Sequence, residues 1–260
     1  MKIAVSGKGG VGKTLLASLL CKTFADNGYD VIAIDADPDA NLAANLGFAE
    51  PDKITPISDL DDLIEERTGA KPGQVAPYYT MNPKVADLPE KYAQQLDGIR
   101  LMVMGRIKRG GTGCYCPEGA LLQALLAHLL ITRNEVVILD MEAGIEHLSR
   151  GTSRAVNKLI VVVEPGRRSI ETALRIKDLA EDIGVNNIAV VGNKIRSESE
   201  RSFIIDNLPD FQFLGFLPFD QAIVDADLAN HSVLAASQLV INEVTKIFQA
   251  LLTDKEVVAE

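Results

Sequence analysis

Eight residues near the start of the chain, Gly7-Lys8-Gly9-Gly10-Val11-Gly12-Lys13-Thr14, have the types and spacing needed to hold phosphate. Glycines let the backbone wrap closely around an anion, so that successive N–H groups and the N-terminus of a following helix point at it. Lys13 is placed to reach the β- and γ-phosphates of a nucleotide. Thr14 offers a hydroxyl to Mg²⁺, an ion that keeps most of its waters and takes few protein ligands. This is a complete P-loop, which by itself marks a nucleoside-triphosphate site of some kind, but phosphate binding alone gives no reason for the second lysine, Lys8. Two acidic stretches extend the chemistry: Asp35-Ala36-Asp37-Pro38-Asp39 and Asp140-Met141-Glu142-Ala143-Gly144. Asp140 follows four apolar residues, as a carboxylate that orients the hydration shell of Mg²⁺ does, and Gly144 gives backbone that can approach a γ-phosphate. Cys114 and Cys116 flank Tyr115, and with three cysteines in the chain this pair suggests metal or redox chemistry, not a disulfide framework.

These groups must be held at the ends of strands. Met1 to Val5 predicts a strand entering the P-loop, and Leu16, Leu20 and Phe24 recur as on the buried face of a helix that leaves it. Val31 to Ile34 and Val136 to Leu139 predict further strands whose C-terminal ends carry the acids, the edge at which open α/β sheets bind ligands. Ile99 to Met104, Leu159 to Val163, Ile188 to Val191 and Phe213 to Leu217 complete the strand candidates, with a helix from about 169 to 183 between two of them. Such alternation predicts an α/β protein: a mostly parallel, twisted sheet with helices on both faces, which with the P-loop makes a single P-loop NTPase domain over 1–260. Residues 50–98 read as an irregular insertion, in which Ile57, Leu60, Leu63 and Ile64 mark a helix ending near Gly69, after which Pro72, Pro77, Pro83 and Pro89 break up any long element. Within 105–130, a basic segment leads to the cysteines, Pro117 suits a first helical turn, and a wide leucine stripe follows. A helix N-terminus favours thiolate over thiol. Residues 233–252 predict a closing helix packed through Leu234, Leu239, Ile241, Val244 and Ile247, while Cys21 is assigned to packing and His147, without a partner, to structure.

With 47% hydrophobic and 24% charged residues the composition is that of an ordinary globular protein. A net charge of -10 argues against a non-specific nucleic-acid surface, which needs clustered Lys and Arg. No apolar run approaches membrane-spanning length, the start carries a P-loop where a signal peptide would have its apolar region, and the acidic tail lacks a basic amphipathic face. The expectation is a cytoplasmic protein with no membrane or nucleic-acid partner.

Lys8-Gly9-Gly10-Val11-Gly12-Lys13-Thr14 resembles the deviant Walker A motif of the MinD/ParA/nitrogenase-iron-protein class of ATPases. That resemblance implies that Lys8 crosses a two-fold interface to the nucleotide of a second subunit, so that a homodimer sandwiches two ATP molecules. Asp35 to Pro38 resembles the class's switch I, which makes Asp37, with Asp39 as runner-up, the candidate for positioning the attacking water. Asp140 to Gly144 resembles switch II. Asn193-Lys194 resembles the adenine-contacting position, and Leu217-Pro218 the segment that closes over base and ribose.

One Cys-x-Cys supplies two soft ligands, and a two-fold dimer doubles them to four, enough for tetrahedral Zn²⁺ or square-planar Ni²⁺. The succession of deviant Walker A, Asn82-Pro83-Lys84-Val85, Cys114-Tyr115-Cys116-Pro117-Glu118 and Asp140-Met141 through Ile145-Glu146-His147-Leu148 is similar to the CooC-type ATPases. The resemblance spans essentially the whole chain. It implies a nucleotide- and metal-dependent homodimer that supplies nickel to a client, carbon monoxide dehydrogenase or acetyl-CoA synthase. Two other readings stay open: a ParA/MinD-like partitioning ATPase, and an electron-transfer ATPase like the nitrogenase iron protein. The second lacks that protein's further cysteine, whose position is Ala143 here.

Overall fold

The computed structural model describes residues 1–260 apart from 73–77, 106–115, 146–147, 149–150, 230 and 259–260, with side chains as far as residue 253. Strands β1 (Lys2–Gly7), β2 (Val31–Asp35), β3 (Gln94–Leu96), β4 (Ile99–Val103), β5 (Val136–Asp140), β6 (Lys158–Val163), β7 (Ile188–Ile195) and β8 (Gln212–Pro218) form one sheet. Their spatial order is β3-β4-β2-β5-β1-β6-β7-β8, parallel throughout except for the β3–β4 pair. β1, β2, β5 and β6 are buried along their whole length, which is why they read as continuous apolar runs and not as alternating ones.

The two-residue period of the strands divides the core between the sheet's faces. Val5, Val31, Ala33, Val136 and Ile138 join Leu16, Leu20 and Phe24 of α1 (Lys13–Asp26), Leu42 of α2 (Leu42–Leu46), and Val244 and Ile247 of the last helix. On the other face, Ala4, Ile32, Ile34, Val137 and Leu139 pack with α3 (Asp61–Thr68), α4 (Leu88–Tyr92), α5 (Pro117–Ile131), α6 (Arg167–Asp182) and α7 (Glu198–Asn207). By the same parity Asp35 and Asp140 face α1. They are also partners in the β2–β5 register, so two carboxylates stand side by side at one level of the sheet.

Three expectations change. The insertion is more regular than its prolines suggest, because β3 turns into β4 through Asp97 (φ 47°) and Gly98 (φ 80°), two left-handed residues that make a tight hairpin. Asp-Gly was the available sequence signal, and the polar Gln94-Gln95 of an edge strand hid it. The closing helix begins later: Val233–Ala235 is a separate 3-10 turn, and α9 runs Gln238–Val258. Ser237 sets that boundary, its Oγ accepting the N–H of Val240 at 3.2 Å. Leu239 is consequently 54% exposed, not packed, whereas Val240, Val244, Ile247, Phe248 and Leu251 are buried. Finally, α7 and α8 (Gln221–Leu228) appear where no helix was anticipated, each begun by a side-chain cap, Ser197 and Asp220. Among the described residues no helix is long and apolar enough to cross a membrane.

Candidate functional site

β1 lies between β5 and β6, so the P-loop opens at the middle of the sheet's C-terminal edge. Two of its glycines are required by space as well as by conformation. A Cβ on Gly7 (φ 147°) would lie 2.4 Å from the carbonyl oxygen of Val162, and one on Gly12 (φ 94°) would lie 2.2 Å from the Asn193 amide nitrogen. Gly12 is the left-handed N-cap of α1, which turns the first N–H groups of the helix toward the loop's interior. Lys13, the first helical residue, is 6% exposed and lies close enough to Asp140 to lower its pKa.

Asp140 is fully buried at the end of β5, and among the described residues neither of its carboxylate oxygens accepts a hydrogen bond of good geometry. Burial pushes its pKa up to about 7; Thr14 pulls down and the neighbouring Asp35 adds to the rise. Asp35 is itself raised to about 6, chiefly by burial. Its oxygens accept the backbone N–H of Leu42 at 2.9 Å and of Asp37 at 3.2 Å. Asp37 in turn accepts the N–H of Asp39 at 3.0 Å. Asp35 thus organises the loop that carries Asp37 and Asp39. It was missing from the expected site residues, although its parity with Asp140 could have been counted. A buried carboxylate next to a threonine hydroxyl, its oxygens short of hydrogen-bond donors among the described residues, is what a hard divalent cation with few protein ligands fits, and Mg²⁺ suits Thr14 and Asp140 on that ground.

Gly144 is buried beside β1. Its N–H donates to Glu142 at 2.8 Å, and the Ser6 hydroxyl donates to the carbonyl of Gly144 at 2.7 Å. Ser6 therefore ties the P-loop strand to the segment after Asp140, a link no local motif announced. Asn193 and Lys194 lie inside β7, at an irregularity where Lys194 takes φ 59°. Both reach the P-loop from outside: Asn193 Nδ2 donates to the Val11 carbonyl at 2.7 Å and Lys194 Nζ to the Gly10 carbonyl. Holding those carbonyls outward leaves the loop's N–H groups for an anion. Leu217 is buried and Pro218 half-buried at the end of β8, next to β7. Lys8 is paired within its own chain to Glu164, 3.4 Å away.

Cys116 is the N-cap of α5, its Sγ accepting the N–H of Gly119 at 3.3 Å. α5 follows β4 and leads into β5, so it starts at the same sheet edge as the P-loop but on the face away from α1. Cys114 and His147 lie outside the described residues, and among the described residues no three metal-binding side chains converge. Cys21 is buried in the α1 core with its thiol pushed far up by desolvation, consistent with packing. A cleft of about 630 Å³ lies at the opposite edge of the sheet, between Tyr29, Arg133 and Leu252. It contains none of these groups.

Residues 2–233 match the CobQ/CobB/MinD/ParA nucleotide binding domain. The chain is 44% identical over 254 residues to an uncharacterized ATP-binding protein of Methanocaldococcus jannaschii, covering 97% of this chain and 98% of that one. It is also 44% identical over 254 residues to the carbon monoxide dehydrogenase accessory protein CooC of Rhodospirillum rubrum, covering 97% and 96%. Among solved structures, the MinC:MinD cell division protein complex of Aquifex aeolicus superposes with a TM-score of 0.70 at 22% identity, covering 97% of this chain and 95% of that one.

Proposed function

The chain is a P-loop ATPase of the CobQ/CobB/MinD/ParA nucleotide-binding family, and from that premise we propose that it is an ATP-hydrolysing metallochaperone. Its cargo is nickel, and its client is carbon monoxide dehydrogenase or acetyl-CoA synthase. One observation carries this reading: the 44% identity to a carbon monoxide dehydrogenase accessory protein extends over 97% of the chain. Residues 1–260 act as one ATPase domain in the cytoplasm, without a nucleic-acid or membrane partner.

Each site group then has a role. P-loop N–H groups and Lys13 hold the phosphates, Thr14 would hold Mg²⁺, and Asp140 would orient the ion's hydration shell. When bound, the ion neutralises charge on the phosphate oxygens. Asp37, with Asp39 in reserve, positions the water that attacks the γ-phosphorus as ADP leaves. Gly144 lines the γ-phosphate, while Asn193, Lys194, Leu217 and Pro218 flank the base and ribose. In the ATP-bound homodimer Lys8 serves the other subunit's nucleotide, much as an arginine finger does. Two copies of Cys114 and Cys116 bind Ni²⁺ or Zn²⁺ across the interface, and the difference in nucleotide affinity between open and closed dimers drives loading and release.

The test is metal content. Protein purified without oxygen and loaded with Ni²⁺ or Zn²⁺ should hold one ion per dimer, lost in Cys114→Ser and in Cys116→Ser while ATP binding persists. Retention of stoichiometric metal by both variants overturns the cysteine site. A chelatable iron cluster in the unaltered protein would instead support electron transfer.

A further inference from the structure

β6 runs parallel to β1 with Gly7 opposite Val162, so the residue just past the end of β6 stands beside the loop that leaves β1. That residue is Glu164. Its backbone N–H donates to the hydroxyl of the buried Ser169 at 3.1 Å, which fixes the turn into α6. Its carboxylate is shared: Oε1 lies 3.4 Å from Lys8 Nζ, and Oε2 lies 3.3 Å from Lys194 Nζ. Lys194 also grips the Gly10 carbonyl, from a left-handed backbone at the β7 irregularity. A Lys–Glu–Lys bridge thus joins Lys8 to Lys194, whose ammonium also holds the Gly10 carbonyl two residues further along the loop.

We propose that Glu164 is a cis latch on Lys8: it holds the lysine over its own P-loop in the single subunit and yields it to the partner's phosphates when the dimer closes. This rests on the reading of Lys8 as a lysine that acts in trans. Two features make the exchange feasible. Lys8 and Glu164 retain 36% and 27% side-chain exposure, so their contact is solvent-screened and weak enough to be displaced by a phosphate. Lys194 stays on Glu164 after Lys8 departs, so the carboxylate is never left without a cation. Lys194 therefore keeps the loop braced in both states. Glu164 is a positioning residue, acting through Lys8.

Glu164→Gln keeps the shape and removes the charge. Sedimentation velocity with a non-hydrolysable ATP analogue and Mg²⁺ should show its dimer dissociation constant lowered about three-fold per latch, roughly ten-fold for the two latches of a symmetric dimer. Affinity of the dilute monomer for nucleotide should not change, and ATPase activity should reach half its plateau at lower protein concentration. Lys8→Ala should lose the nucleotide-dependent dimer, and the double variant should behave like Lys8→Ala alone. If Lys8→Ala loses the dimer while Glu164→Gln dimerises like the unaltered protein, the latch is overturned and the trans lysine stands. If Glu164→Gln weakens the dimer, Glu164 receives a lysine across the interface and the latch is again overturned. If Lys8→Ala dimerises and hydrolyses normally, the trans reading falls and the latch falls with it.

Discussion

Asp140 ends a strand whose other four side chains are apolar and buried, so its carboxylate leaves water along with them. Folding then favours the protonated acid, which is why the group titrates near 7 and not near 3.8. A carboxyl whose folded pKa is raised holds its proton longer in the native state. Its relative contribution is greatest below the unfolded value near 3.8 and is lost as pH rises through about 7. Asp140→Asn should therefore stabilise the nucleotide-free protein at pH 8 by about 2–4 kcal/mol, and much less at pH 5. The same substitution should abolish ATP hydrolysis. Thermal melts at the two pH values check the cause: equal gains at both would exclude buried charge as the source. At this scale the sequence was informative wherever one motif contained the whole argument, as in the P-loop and at Asp140. It was silent on Glu164, whose type is ordinary and whose partner Lys8 is 156 residues away, and on the bond by which Asn193, 182 residues from Val11, braces the P-loop.

The insertion is tied to the sheet by a chain of charges running between elements. Arg133, in the turn from α5 to β5, donates to Glu90 of α4 at 2.6 Å and to Glu135, which also receives Arg100 of β4 at 2.6 Å. Burial would push the Glu135 carboxyl up, but Arg133 and Arg100 outweigh it and hold the pKa near 2. This is a depressed carboxylate, so its stabilisation is present above the ordinary value of 4.5 and disappears as pH falls through about 2. Glu135→Gln should cost about 1–3 kcal/mol at pH 7, since it strips two enclosed guanidinium groups of their shared charge. The cost should shrink toward pH 2. Glu90→Gln, whose carboxylate is 52% exposed, should cost less than about 1 kcal/mol. Urea unfolding of both variants tests the contrast. None of this was visible in the chain, where prolines and acids between 50 and 98 concealed how many of those residues enter the core.

At the scale of the whole molecule, the end of the chain closes over its beginning. Phe248 of α9 packs edge-on against Phe24 of α1 with ring centroids 4.8 Å apart, and Tyr29 meets both. Phe248→Ala should cost about 3–5 kcal/mol by leaving a cavity between the first and last helices. If 1–260 fold as one unit, calorimetry should show a single transition displaced to lower temperature; a second transition that stays in place would separate the C-terminal part from the P-loop core.

Strand period, glycine spacing and the acids at strand ends are local properties, legible residue by residue because each follows from the backbone's own geometry. They determined the parallel sheet, the phosphate loop and the place of Asp140. Strand order is not local, since it depends on which apolar faces find each other across long connections. Only the tertiary structure could set Asp35 beside Asp140, bring Asn193 and Lys194 behind the P-loop, and place Glu164 on the lysine that the first fourteen residues leave without an evident task.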